Sequence, residues 1–388
     1  MALALPFSSM AQEPADLGAV LASPKTWQSS LLPGDWRPVG TNAQGRTLQM
    51  SGSAMVFGTA PEQVQAYFDG EKLAELNVTY LEAGNFFGSH EARDAGLKKS
   101  QKEFEAKFKS LEAGLIRELS SLYGTGQRRN VGKSQLLRSR VADFAAGGLV
   151  VRLFAEENQL IAISVLPAQE EASKKLLSVP DGQAGLVGRR LDIQANVARL
   201  ANGDIVIQNL PVVEQGERGY CAIGTLTMLT RYYGLPVNVD LVAAKAGYKE
   251  GDAANADLGA VYSACAKEAK LKLKVDRSFD FRKAKKFLLK GEPVIVGRKF
   301  DRVRDEFHTQ FARQFEKDPS IRLPKPDRGE RARWPASSAA SHASVITGFN
   351  DTRDEVIFSE SWGEAARNRR MSAAEMEATA FEIDYFTP

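Results

Sequence analysis

Cysteine and histidine are scarce in this 388-residue chain, with two of the first and three of the second. Cys221 and Cys265 allow at most one bridge, so disulfides are not what holds the fold together. The scattered histidines and distant cysteines show none of the usual ligand spacings, so neither a metal nor another cofactor is expected. An excess of charge is missing too: 51 basic against 48 acidic residues leave a formal +3, which argues for neither nucleic acid nor a membrane surface as partner. The densest basic stretch, KLKLKVDRSFDFRKAKKFLLK at 270–290, alternates with apolar residues and reads as a solvated face. No run of 18 or more apolar residues occurs, so no transmembrane segment is expected. What the chain does have is apolar material, 43% hydrophobic against 26% charged, enough for two globular domains. Nothing in it speaks to oligomeric state.

The expected fold class is α+β. Residues 1–30 read as a truncated signal or an unstructured terminus: Ser9-Met10-Ala11 before Gln12 resembles a cleavage site, but the apolar core is short and no basic segment precedes it. Secretion or a periplasmic location is the expectation drawn from it, with the cytoplasm left open. An α+β domain follows at 31–166. In it TLQMSGSAMVFG is expected as strand, Pro61 opens a short helix through Tyr67, KLAELNVTYLEAG returns as strand, and 93–123 form a long amphipathic helix. Three strands are expected near 135–143, 148–154 and 159–165. A polar segment at 167–185 carries linker signals, and a second domain spans 186–388. That domain should start with a helical stretch and a strand at 204–209, and end with strands, a hairpin and a helix. A charged, proline-bearing insertion at about 299–340 stands between two of its strands.

Chemistry gathers in QGERGYCAIGTLTMLTRYYG at 215–234. Ala222, Ile223, Leu226, Leu229, Tyr232 and Tyr233 recur at helical spacing, and Gly234 with Pro236 ends the pattern, which puts Cys221 at a helix N-terminus. There the unpaired N–H groups and the helix dipole favour a thiolate; the plainer alternative is a small buried hydrophobe. Gln215, six residues earlier across two glycines, can fold its amide back to form an oxyanion hole with the Cys221 N–H. A cysteine nucleophile needs a base. His342, among small residues at the start of strand ASVITGF, is the candidate, while His308 is expected in a surface or half-buried structural role and His90 as incidental. The hairpin after His342 returns Glu360 near its level, where a carboxylate would accept the imidazole Nδ1–H; Asp351 sits in the turn, at the wrong end. Cys265 is expected in plain core packing, and Ser372 with Glu375 as a capping box.

Together these pieces resemble the papain-like cysteine peptidases, more closely their bacterial C39-like branch. The matching segments are Gln215 with Cys221, RYYG at 231–234, VNVDLVAAKAG at 237–247, HASVITGFND at 342–351 and SESWG at 359–363, covering about 205–388. The resemblance implies a helical part carrying the cysteine and an antiparallel sheet carrying the histidine. It implies Gln215 as oxyanion donor, Cys221 as nucleophile and His342 as base, a peptide or protein as substrate, and Trp362 shielding the pair. The family's Asn or Asp falls on Glu360, one methylene longer than aspartate. That departure and the insertion leave two alternatives open: a peptide-binding protein on a peptidase scaffold, and another Cys/His acyl transferase or amidase. The first domain can recognise a substrate, dock a partner or inhibit the cleft.

Overall fold

The computed structural model describes residues 16–29, 32–42, 45–52, 54–87, 101–132, 135–168, 193–216, 218–233, 238–248 and 257–388. The signal-like residues 1–15, His90, Gly234 with Pro236, and the linker beyond Ala168 lie outside them. No helix among the described residues is long and apolar enough to cross a membrane.

In the first unit, α1 (Gly18–Leu21), α2 (Pro24–Gln28), β1 (Trp36–Asn42), β2 (Gly45–Met50), β3 (Gln63–Asp69) and β4 (Lys72–Glu82) are followed by α3 (Ala83–Phe87) and α4 (Gln101–Tyr123). Four strands complete it: β5 (Gln127–Val131), β6 (Ser139–Ala146), β7 (Leu149–Glu156) and β8 (Leu160–Pro167). The eight strands form one antiparallel sheet in the order β1-β2-β3-β4-β8-β7-β6-β5. Phe104, Phe108, Leu115 and Leu119 of α4 are buried against Phe144, Val151 and Ile163 on one face. Two expectations are corrected. The helix from Pro61 to Tyr67 is strand β3, where Val64, Ala66 and Phe68 are buried at the period of two that a half-buried strand requires. The domain also begins before residue 31, because Leu21 and Ala22 are buried in its core and the Asp16 carboxylate accepts from the N–H groups of Gly18 and Phe57.

The second unit contains β9 (Val197–Arg199), β10 (Asp204–Ile207), α5 (Cys221–Tyr232), α6 (Val239–Ala246), α7 (Leu258–Glu268), β11 (Lys272–Asp276), α8 (Phe281–Leu288) and β12 (Val294–Phe300). The insertion supplies α9 (Arg302–Lys317) and α10 (Arg328–Arg331). The chain closes with β13 (Ala340–Asn350), β14 (Glu355–Ser359), β15 (Arg369–Ser372), α11 (Ala373–Thr379) and β16 (Ala380–Thr387). Its antiparallel sheet runs β11-β16-β12-β13-β10-β9, with β14 pairing β13 and β15 pairing β14. Residues 193–195 are helical, in the span where a helical stretch was expected, and 197–199 follow as strand; the last element is a strand inserted between β11 and β12. Ser372 caps α11 by accepting from the Glu375 N–H, but the Glu375 carboxylate turns to Arg304 instead of completing the box.

The two units share one core. Val141, Phe154, Leu160 and Ala162, on the sheet face away from α4, join the cluster that contains Ala222, Ile223 and Leu226 of α5. Gly224 lets that helix meet the 359–363 turn: a Cβ there would stand 2.5 Å from Ser361 Cβ. Glycine inside a helix costs up to about 1 kcal/mol relative to alanine, so close packing is its justification. Gly224→Ala is therefore expected to destabilise the protein by about 1–3 kcal/mol in chemical denaturation, despite the better helix former, because overpacking outweighs propensity.

Candidate active site

α5 starts at Cys221 with Tyr220 as its N-cap and no side-chain cap, so first-turn N–H groups stay open beside the half-buried thiol. β13 lies against this helix and presents His342 and Ala343. The Cys221 sulfur is hydrogen-bonded to the His342 ring and to the Ala343 N–H. His342 Nε2 is 2.7 Å from Glu360 Oε2. The carboxylate therefore holds Nε2 and leaves Nδ1 for the sulfur, the reverse of the expected ring assignment. Glu360 arrives through the β13–β14 register, whose last pair is Val345 with Ser359; one step further, Glu360 stands by Ser344, whose hydroxyl donates to its Oε1 at 2.8 Å. Asp351 is at the other end of the strand, paired with Lys285. Trp362 covers the imidazole at 4.7 Å between ring centres, and Phe300 lies 5.2 Å away.

Gln215 is buried beside the start of α5. Its amide oxygen accepts from Ser361 Oγ, and one N–H donates to the Arg218 carbonyl at 2.7 Å. Its backbone N–H donates to the Ser361 carbonyl at 2.9 Å. The side chain is fixed, with a second N–H to offer.

Sequence reasoning missed what surrounds these residues. Glu360, wholly buried, also accepts from Arg298 Nη2 at 2.7 Å and Arg369 Nη1 at 3.2 Å. Asp305, on the insertion helix α9, takes the same two guanidinium groups at 2.8 and 2.5 Å. Buried charges persist only when paired in this way. Burial raises the Glu360 pKa, but His342 and the arginines more than reverse it and hold the carboxyl well below its ordinary range. Burial lowers the pKa of His342, and Glu360 with Cys221 overcomes that to bring it to about 9. Burial raises the pKa of the Cys221 thiol, and His342 with the Ala343 N–H pulls it below its ordinary value. The arrangement favours a thiolate–imidazolium pair at neutral pH.

A second set of contacts comes from the first unit. Glu82, at the end of β4, accepts from the Tyr220 hydroxyl and from Arg218 Nη1 at 3.2 Å, and Arg218 Nη1 also donates to Asp240 at 2.7 Å. The turn that delivers Cys221 is thus clamped by the first unit. Arg218 is visible in the 215–234 segment, but its partner Glu82 is 136 residues away and unmarked. His308 is fully buried against Glu375 at 3.2 Å rather than at the surface, with its pKa lowered mainly by that burial. Cys265 is buried in the core, and burial pushes its thiol up to about 12.

Residues 207–386, a little under half of the chain, match the model of the Peptidase_C39 like family. A crystal structure described as a "putative C39-like peptidase" from Bacillus anthracis is similar over 47% of this chain and 96% of its own, at 12% identity and a TM-score of 0.31. Comparison with curated proteins gives no match.

Two outcomes follow from the buried charges. Glu360 is stabilising where it is ionised: that contribution is present above its unfolded value near 4.5 and is lost as pH falls towards its depressed folded value. Arg298→Met removes a counter-charge, so it should cost about 3–5 kcal/mol at neutral pH and move acid unfolding to higher pH, read by circular dichroism. His342 has a raised value, so its contribution is full below 6.5 and is lost as pH rises through about 9. An NMR titration of labelled histidine should place its midpoint near 9 and show a fall towards 6.5 in Glu360→Gln.

Proposed function

We propose that the chain is a cysteine peptidase that cleaves peptide bonds through an acyl-enzyme. The supporting observation is the continuous chain from the Cys221 sulfur through the imidazole to Glu360, with Nε2 and carboxylate oxygen 2.7 Å apart. The Cys221 thiolate attacks the substrate carbonyl carbon. A C–S bond forms, the carbonyl π pair moves onto oxygen, and that charge is met by the Cys221 N–H and the second N–H of Gln215. As the carbonyl re-forms, the C–N bond breaks and His342 Nδ1–H passes its proton to the leaving amine. Water then enters: His342 takes its proton, oxygen bonds the thioester carbon, and the thiolate leaves with the product acid released. Glu360 holds the ring by Nε2 throughout and keeps the imidazolium charged, while Trp362 limits water over the pair.

Turnover requires Cys221, so Cys221→Ala must abolish cleavage while leaving the fold intact. The test that needs no substrate is alkylation by iodoacetamide against pH, followed by mass spectrometry for each cysteine. Cys221 should react well below pH 8.5, the ordinary thiol value, and lose that reactivity in His342→Ala; Cys265 should stay unlabelled. Alkylation that follows an ordinary thiol and ignores His342 would overturn the mechanism and leave a binding protein on this scaffold.

A further inference from the structure

A cavity of about 160 Å³ opens beside the reacting pair and has Cys221 and His342 in its lining. Tyr248, Tyr262 and Phe381 make much of the rest aromatic, and two carboxylates, Glu382 and Asp384, enter it from β16. Gly297 keeps room there, since a Cβ at that position would come within 3.0 Å of the Phe381 ring. The two carboxylates are not alike. Glu382 is satisfied by Arg277 near the surface. Asp384 is only 4% exposed, and among the described residues no side chain donates to it and no cation pairs with it. A buried carboxylate without a partner is costly and rare.

The register explains how it is held there. Asp384 pairs with Ile295 of β12 on one side and Val275 of β11 on the other, so neither neighbouring strand offers a polar side chain opposite it. The titratable or charged groups around it are Glu382 on its own strand, Tyr262 on α7, Tyr248, Arg277 just past β11, and the Cys221–His342 pair. Burial, helped by Glu382 and opposed by Arg277, lifts its carboxyl to about 7. The volume matches about five waters at ~30 Å³ each, room for one long side chain. Aromatic walls with a buried acid suit an aliphatic stem that ends in a cation.

We propose that this cavity is the subsite for a basic residue of the substrate, a lysine or arginine near the scissile bond, with Asp384 as its counter-charge. The proposal rests on the peptidase function above and adds the substrate class. The cation supplies the partner that the fold withholds, and binding it ionises Asp384. Asp384 is a specificity-determining residue and takes no part in bond cleavage.

The experiment compares three methanethiosulfonate reagents on the full chain at pH 8: aminoethyl (cationic), methyl (neutral) and sulfonatoethyl (anionic), with Cys221 modification timed by mass spectrometry. The cationic reagent should outpace the neutral one by about tenfold or more, the anionic should be slowest, and Asp384→Asn should bring the cationic and neutral rates close together, since a charge-assisted contact is worth a factor of that order. Glu382→Gln should keep most of the preference. Asp384→Asn also reports on burial: the ionised carboxylate costs stability as pH rises from 3.8 through about 7, so the variant's thermal midpoint should exceed that of the parent above pH 7 and match it near pH 3. In a digest of a mixed peptide library, cuts should be flanked at one position by lysine or arginine, a bias lost in Asp384→Asn. Rapid labelling with no charge preference, or a preference that survives Asp384→Asn, would overturn the subsite while leaving the peptidase function standing. A Cys221 that reacts with none of the three reagents would overturn the peptidase function, and the subsite with it.

Discussion

The Glu360 carboxylate, buried without contact to solvent, is the point on which the site depends. Taking such a group out of water costs several kcal/mol unless it finds opposite charge and hydrogen bonds. It finds them on three elements: Arg298 from β12, Ser344 and His342 from β13, and Arg369 from β15. Each partner is therefore positioned by the need to satisfy one acid. The imidazole is orientated by the same contact, and its orientation decides which nitrogen faces Cys221. Packing, charge and reactivity are linked through a single side chain.

The first unit belongs to this arrangement. The sheet face away from α4 is polar in part, with Glu75, Asn77, Arg152 and Ser164 buried there, and it closes over the second unit. From it Thr79 donates to Asp240, and Glu82 takes Arg218 and Tyr220 on either side of Gly219. None of the residues lining the cavity beside Cys221 comes from this unit. Its contacts fall on the turn that carries Cys221, so its physical effect is to stiffen that turn from behind.

What could be read in the sequence depended on how local the cause was. Cys221 at a helix start follows from spacing within one segment, and the hairpin arithmetic that brings Glu360 to the level of His342 spans only 18 residues. The ring nitrogen did not follow, because it depends on the approach of α5 to β13, which no local pattern encodes. The arginines around Glu360 were missed for the same reason. Arg298 carries no local signal, and its burial is visible only when β13 and α9 are in place. The strand at 63–69 had a legible signal, the alternation of Val64, Ala66 and Phe68, which the proline at 61 outweighed in the reading. The closing strand was missed although AFEIDYFT is rich in β-formers, because the capping signal at Ser372 drew the helix onward.

Glutamate, where the resemblance to C39-like peptidases leads one to expect a shorter side chain, and the charged segment before His342 are connected. The longer side chain meets the imidazole through Oε2, while two arginines hold its Oε1. Two guanidinium groups and an imidazolium facing one carboxylate would leave the interior positive. The insertion helix removes that excess, since α9 brings Asp305 against both arginines. With the thiolate included, Cys221, Glu360 and Asp305 balance His342, Arg298 and Arg369, three charges of each sign. The insertion accordingly packs on β15 behind the carboxylate and contributes no residue to the cavity wall. It completes the charge balance that a glutamate at this position demands and leaves the approach to Cys221 to the strands and helices in front.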